Sequence, residues 1–470
     1  MSERRIVIVG GGITGLAAAY AALVRARDVG QRIVVTVLER SPRFGGNLVT
    51  ERVNGFLVDG GADSWVASKP DATVLARELG LERSIVGTNE ATRRYYIAWE
   101  DRLHPVPEGL VLGVPTRLLP MLRTKLFSWP GKLRMAIEPL VPARVFDGDD
   151  DESIADFAER RLGREATERL VAPLLGGITS GDASEASVRA TFPQLVAMER
   201  EHGSLVRGTL ALARRRKKGE GSSAFLSLEG GVGSLVDALV DRVRSDGAIL
   251  RARTAVRSLA RSGSHWVIDV ESEEPIRADA VLLAVPAHVA ARIVGELDGA
   301  LARDLAAIPY GSSATVFLAY RRADVAHPLD GVGFVVPRAI GRSVRAGTWV
   351  SSKWHGRAPD GHVLLRAFFG GIGGEGDLAL DDARLISLAR RDLGGWMGID
   401  APPLWTKVFR FDAARAQMRV GHLSKIRTIR ERLSDAAAGL RIAFGGFDGD
   451  SIPDGIRQGR DAGRAMADGS

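Results

Sequence analysis

A strand, a glycine-rich turn and a helix at the start of the chain constrain its fold more than any other feature. Residues Arg5 to Val9 read RIVIV, a β-branched run suited to a strand buried on both faces. GGGITGLAAAYAAL comes next, with Gly10, Gly12 and Gly15 in G-x-G-x-x-G spacing ahead of helix-forming Ala and Leu. The first glycine makes the tight turn, the second lets backbone approach a pyrophosphate, and the third lets the helix pack closely on the strand. The helix N-terminus then presents free N–H groups and a positive dipole end to phosphate. A second strand, Ile33 to Leu38, ends in Glu39, 24 residues past Gly15, where a carboxylate can accept from a ribose diol. Glycines alone are weak evidence, since any α/β unit can have a glycine-rich turn. The full order, closed by a terminal carboxylate, predicts a dinucleotide-binding α/β unit.

The chain has 470 residues, enough for two or three domains of ~100–200 residues each. With no Cys, disulfides, thiolate metal sites and covalent cofactor attachment through sulfur are all excluded, which fits a reducing cytoplasm. The formal charge of +7 suits anionic partners such as a polycarboxylate or acidic lipid, and equally a general solubility charge. Net charge alone speaks for nucleic acid, and RRRKK at Arg214 to Lys218 reads as a solvated loop, so no nucleic-acid partner is expected. The His residues lack metal-ligand spacing, so no metal is expected either. No stretch reaches ~18 uninterrupted apolar residues, and a strand begins by Ile6, leaving no room for a leader. The expected location is the cytoplasm, with at most peripheral contact at the inner face of the cell membrane.

Directly after Glu39 and Arg40 the chain reads SPRFGGNLVTERVNGFLVDGGADSW, in which Arg43, Gly45 and Gly46 form R-x-G-G and Gly60–Gly61 come later. This resembles the extended fingerprint of the amine-oxidase-like flavoproteins, and it implies FAD rather than NAD. An arginine there can neutralise diphosphate charge while two glycines let a loop run under the flavin end; the alternative for Arg43 is a solvated surface position. The segment RTAVRSLAR near Val256 resembles the strand whose backbone contacts adenine, and ADAVLLAVPA, from Ala278 to Ala287, reads as a buried strand returning to the nucleotide unit. RIAFGGFDGDSIPDGIRQGRDAGRAMA closes the chain with a strand, a glycine-rich turn and a helix. That turn can bring the N–H of Ile452 to the flavin pyrimidine, with the helix dipole favouring anionic reduced flavin.

Three middle segments narrow the resemblance. RRYYIAWEDRLHPVPEGLVLGVPT, ESIADFAERRLGREATERLVAPLLGGITSGDASEASVRATFPQLVAMEREHGSL and GTWVSSKWHGRAP occur in the order seen in protoporphyrinogen and coproporphyrinogen oxidases. The chain resembles that family over nearly its whole length. The resemblance implies a discontinuous Rossmann-like FAD domain (1–91, 209–287 and 416–470), an inserted helical domain (92–208) and a substrate domain on an antiparallel sheet (288–415). It implies a propionate-binding arginine at Arg94, with Arg93 open as the alternative. It also implies an aromatic stacked on a pyrrole at Trp354 and a small apolar wall at Val335, both of which also suit plain core packing. Two departures stand out. Ala416-Gln417-Met418 replaces the family's Pro-Gln-Tyr, and its G-V-G/A-x-x-D-C-I turn reads Gly449-Asp450-Ser451-Ile452-Pro453-Asp454-Gly455-Ile456, without the Cys.

The implied reaction is oxidation of a porphyrinogen, protoporphyrinogen IX or coproporphyrinogen III, to the porphyrin of haem biosynthesis. Flavin N5 accepts hydride, and molecular oxygen takes the electrons as peroxide. No catalytic side chain is nominated, because pyrrole nitrogens release protons as aromaticity builds. Another amine-oxidase-like enzyme or a non-catalytic FAD scaffold would share the cofactor motifs but not the middle segments. Residues 110–144 add a basic, apolar stretch with Trp129, Arg117, Arg123, Lys125, Lys132, Arg134 and Arg144. It suits either a peripheral membrane face or packing within the helical insert, since Pro115, Pro120, Pro130 and Pro139 break it into short pieces.

Overall fold

A computed structural model describes residues 3–469 apart from 93, 112, 180, 216–222, 372–373 and 437–438. Arg4–Val9 pairs in parallel with Ile33–Leu38 on one side and Ala280–Leu283 on the other. Ile249–Arg251 and Leu440–Ile442 complete a five-stranded parallel sheet. Its strands are drawn from both ends and the middle of the chain, as a discontinuous nucleotide-binding unit requires. The first helix, Ile13–Asp28, and the last, Ile452–Asp468, pack on one face together with Leu235 and Leu239. On the other face a three-stranded antiparallel sheet covering Val256–Ser262, His265–Val270 and Ile276–Ala278 shares a core with helices Ala287–Ile293 and Gly299–Ala306.

The second large sheet has seven strands. They run in the order Trp405–Ala416, Tyr310–Arg321, His362–Gly370, Ala346–Trp349, Gly331–Val335, Arg94–Trp99 and Arg102–Pro105. All neighbours are antiparallel except Gly331–Val335 and Arg94–Trp99, which run parallel. Three expected boundaries therefore move. Residues 94–105 belong to this sheet and not to the helical insert, because Tyr96 and Ala98 complete its core. The helices of residues 287–306 belong with the nucleotide unit, since Leu301 and Leu305 are buried against it. The insert in turn keeps its last helix, Leu205–Arg215, through Leu205. Arg214 and Arg215 of the basic run lie in that helix, and 216–218 fall outside the described residues.

The insert itself is helical. Ile154 to Thr179 is nearly continuous helix, interrupted at Gly163, whose φ of +91° suits glycine alone. Farther on, Val188–Thr191 and Pro193–His202 are separate helices, because a proline cannot donate to the preceding turn. A fully buried ion pair, Arg161 with Glu138, sits at its centre. Ser204 Oγ and the Leu205 N–H also donate to Glu138, so this carboxylate holds the elbow that starts the last helix of the insert.

Candidate active site

Of the three N-terminal glycines, two sit at close backbone approaches and one faces open space. Gly10 takes a φ of +105°, and a Cβ there would come within 2.3 Å of the Ala284 carbonyl oxygen. A Cβ on Gly15 would sit 1.9 Å from the Gly10 carbonyl oxygen, so only glycine lets the helix start this close to the strand. Gly12 differs. A Cβ there meets no protein atom within 4 Å, and the first helix has neither a side-chain cap nor an acidic residue in its first turn. The N-terminus thus faces open space with its N–H groups uncapped, which fits a diphosphate.

Two loops complete this cradle. Gly45 donates its N–H to the Gly11 carbonyl (2.7 Å) and forms a parallel bridge with Gly12, so the R-x-G-G loop lies beside the phosphate turn. At Gly46, with a φ of +57°, a Cβ would lie 3.4 Å from the Gly12 Cα. Arg43 is exposed and donates to the carbonyls of Phe44, Gly46 and Leu48, clamping its own loop. Glu39 accepts the N–H of Gly11 and of Ser41, one on each oxygen at 2.8 Å. That fixes the carboxylate and leaves lone pairs on both oxygens for a ribose diol. The Thr254 N–H donates to the Glu39 carbonyl, which brings the strand beginning at Val256 to the same edge.

The last helix reaches this edge from the other end of the chain. A Cβ on Gly459 would lie 2.1 Å from the Thr14 carbonyl oxygen, and one on Gly463 2.2 Å from that of Ala18. Glycines four apart against carbonyls four apart mean that the first and last helices run parallel, with both positive ends at the cradle. Ser451 and Asp454 form a capping box, Pro453 has no N–H, and Gly455 donates to the Ser451 carbonyl. Among the described residues this leaves the N–H of Ile452 without a partner in that turn. Lys69 pairs with Asp454 at 2.6 Å.

One face of the seven-stranded sheet closes over Gly60–Gly61. Arg366 donates to both of their carbonyls (2.8 and 2.7 Å), Thr315 Oγ1 donates to that of Gly60, and Phe409 packs against the Gly60 Cα. The pairing registers put Tyr95, Val335, Phe368 and Phe411 on this same face, each partly exposed or more. Asp63 lies just past the two glycines and accepts from Lys353 (2.8 Å) and from Trp354 Nε1 (3.1 Å). Burial alone would raise the Asp63 carboxyl, but Lys353 and Arg366 overcome it and hold it well below the usual carboxylate range. Burial lowers Arg366 to about 10, so it stays charged at neutral pH.

Of the expected substrate residues, Arg94 leaves this face and Trp354 is buried beside Asp63. Arg94 alternates with Tyr95 and projects with Tyr96 to the opposite side, where both reach Asp330 (2.6 and 2.7 Å). Arg93 has the parity of Tyr95 but lies outside the described residues. Trp354 is 1% exposed in a core with Phe56 and Leu364, so it packs and does not line a surface. The aromatics that do face Gly60–Gly61 are Tyr95, Phe368, Phe409 and Phe411. Period-two alternation around them was the available signal, and it needed the sheet register to identify the face.

Residues 13–462 match the family described as flavin containing amine oxidoreductase. The chain belongs to that family. Together with the phosphate cradle, this makes its cofactor FAD. The oxidoreductase is 34% identical over 465 residues to the coproporphyrinogen III oxidase of Bacillus subtilis (strain 168), covering 98% of this chain and 97% of that one. It is 28% identical to protoporphyrinogen oxidase 1, chloroplastic, of Arabidopsis thaliana, over 92% of this chain and 81% of that one. A crystal structure from Exiguobacterium sp. 255-15, named provisionally as a protoporphyrinogen oxidase, superposes with a TM-score of 0.88 at 32% identity, over 99% of both chains.

Proposed function

We propose that this oxidoreductase converts a porphyrinogen to its porphyrin, with coproporphyrinogen III as substrate and oxygen as acceptor. The observation that carries this reading is the end-to-end similarity to coproporphyrinogen III oxidase, which includes the helical insert as well as the cofactor segments. The sheet face opposite Gly60–Gly61 supports it. Tyr95, Phe368, Phe409 and Phe411 give flat apolar contact area for pyrrole rings. Lys353 and Arg366 together outweigh Asp63 by one positive charge on the same side, which suits a substrate with carboxylates. Bound FAD supplies hydride acceptance and the return of electrons to oxygen. Six hydrogens leave the substrate, so three oxygen molecules become three of hydrogen peroxide. In air, coproporphyrinogen III should give a fluorescent porphyrin with that peroxide yield; porphyrin formed only with a quinone would refute the oxygen part.

Since Arg94 is engaged by Asp330 on the far face, Arg94→Ala should keep its FAD and change KM for the porphyrinogen less than about twofold, below the 1.4 kcal/mol of a tenfold change. Steady-state kinetics decide it: a tenfold rise in KM would return Arg94 to the substrate site.

The exposed face of residues 119–140 fits an anionic bilayer. Trp129, Leu133 and Ile137, four apart on helix Trp129–Ala136 and its cap, are 69%, 67% and 43% exposed, while Met135 points inward. Arg123 and Lys125 are exposed on the same stretch and Arg117 just before it, whereas Lys132, Arg134 and Arg144 bond within the insert. No described helix is long and apolar enough to cross a membrane. We therefore expect salt-sensitive peripheral binding. Co-sedimentation with anionic vesicles should be lost in Trp129→Ser/Leu133→Ser, and no pelleting of the parent at low salt would refute it.

A further inference from the structure

Asp450 takes the place of the valine in the family's turn and is joined to a partner from another part of the fold. Its Oδ2 accepts from Arg415 Nε at 2.7 Å, and the two side chains are 17% and 36% exposed. Arg415 ends strand Trp405–Ala416, the same strand whose Phe409 and Phe411 pack over Gly60–Gly61. The Asp450 carboxylate folds back over the end of the last parallel strand, where a Cβ on Gly445 would meet its Oδ1 at 2.6 Å. It stands two residues before Ile452, at the positive end of the last helix. The other charged groups around it cancel, because Lys69 and Asp454 pair with each other. Tyr310, whose hydroxyl accepts the Ala287 N–H, also senses the Asp450 charge. Burial raises the Asp450 carboxyl, and Arg415 acts to lower it.

We propose that Asp450, held by Arg415, is a positioning residue that sets the reduction potential of bound FAD. The inference rests on the reading that Ile452 meets the flavin pyrimidine. Two electrons and a proton pass from substrate carbon to the flavin, and the extra negative charge is favoured by the dipole of the last helix. A carboxylate beside that helix end opposes the charge and lowers the potential, which eases the onward transfer of electrons to oxygen. Arg415 offsets part of this and favours the ionised carboxylate against its burial.

The test is the midpoint potential of the bound flavin, measured by dye-coupled titration of the holoprotein at about pH 8.5, on the alkaline side that favours an ionised carboxylate. Asp450→Asn should favour reduced flavin about tenfold, a rise of about 30 mV for a two-electron couple. Arg415→Gln should move the potential the opposite way, whereas a merely structural disturbance would move both variants alike. Full FAD content in Asp450→Asn with the parent's potential would overturn the proposal, as would shifts of the same sign in both variants. A parent chain that takes up no FAD would overturn the underlying cofactor reading first, and the two failures are told apart by colour alone.

Discussion

Gly12→Ala is expected to fold as stably as the parent and yet bind FAD at least about a hundredfold more weakly, a loss of about 2.7 kcal/mol. The backbone at Gly12 has a φ of −72°, which any residue adopts, and the added Cβ touches no protein atom within 4 Å. The methyl group therefore costs the protein nothing and occupies the space where phosphate oxygens would approach the helix N-terminus. Gly15→Ala is the contrasting case. Its Cβ would stand 1.9 Å from the Gly10 carbonyl oxygen, so the first helix must shift away from the first strand. Overpacking of this kind costs about 1–3 kcal/mol, and the FAD site is displaced with it. Flavin-to-protein absorbance and the thermal midpoint of the apoprotein separate the two: colour lost with the midpoint kept for Gly12→Ala, both lost for Gly15→Ala. A Gly12→Ala variant that remains fully yellow would mean the cofactor does not rest on this turn.

Arg161→Met should be the most damaging single change in the helical insert. Arg161 and Glu138 are both fully buried, and Arg161 also donates to Glu199. Removing the guanidinium leaves Glu138 charged and buried, held only by Ser204 Oγ and backbone N–H groups. Losing one partner of such a pair costs about 3–5 kcal/mol, whereas replacing both with apolar groups of similar volume is often nearly neutral. The double variant Arg161→Met/Glu138→Leu should therefore recover much of the loss. Urea unfolding of all three proteins checks this, with limited proteolysis to locate the weakened region. A single variant within about 1 kcal/mol of the parent, little more than an ordinary surface change, would show that the pair carries no such burden.

The cofactor half of the molecule was legible because its constraints are local. Gly10, Gly12, Gly15 and Glu39 act through spacing along one strand–turn–helix–strand unit, and a sequence displays spacing directly. The start of the last helix at Ile452 was legible for the same reason, since a helix start after a glycine-rich turn is written in consecutive residues. The sheet face over Gly60–Gly61 was not. Arg94 and Tyr95 are adjacent in sequence and face opposite sides of a strand, so the side each takes depends on pairing with Gly331–Val335, more than 200 positions away. The burial of Trp354 was hidden for a related reason: it comes from Phe56 and Leu364, which its own segment does not reveal. Domain limits at 105 and 306 were hidden likewise, because short strands and helices join whichever core buries them. The membrane stretch was half legible: its composition showed apolar and basic residues together, and only the packed structure sorted Met135 inward from Trp129 and Leu133 outward.

If a porphyrinogen delivers its electrons to FAD held in this cradle, the transfer is visible in the flavin itself. The decisive measurement is an anaerobic titration of the holoprotein with coproporphyrinogen III, in which the visible flavin band and porphyrin fluorescence are recorded together. The band should bleach as porphyrin appears, with one substrate molecule reducing three flavins, and the colour should return on admission of oxygen. A flavin that stays oxidised with both coproporphyrinogen III and protoporphyrinogen IX, and is bleached by an amine instead, would contradict this reading.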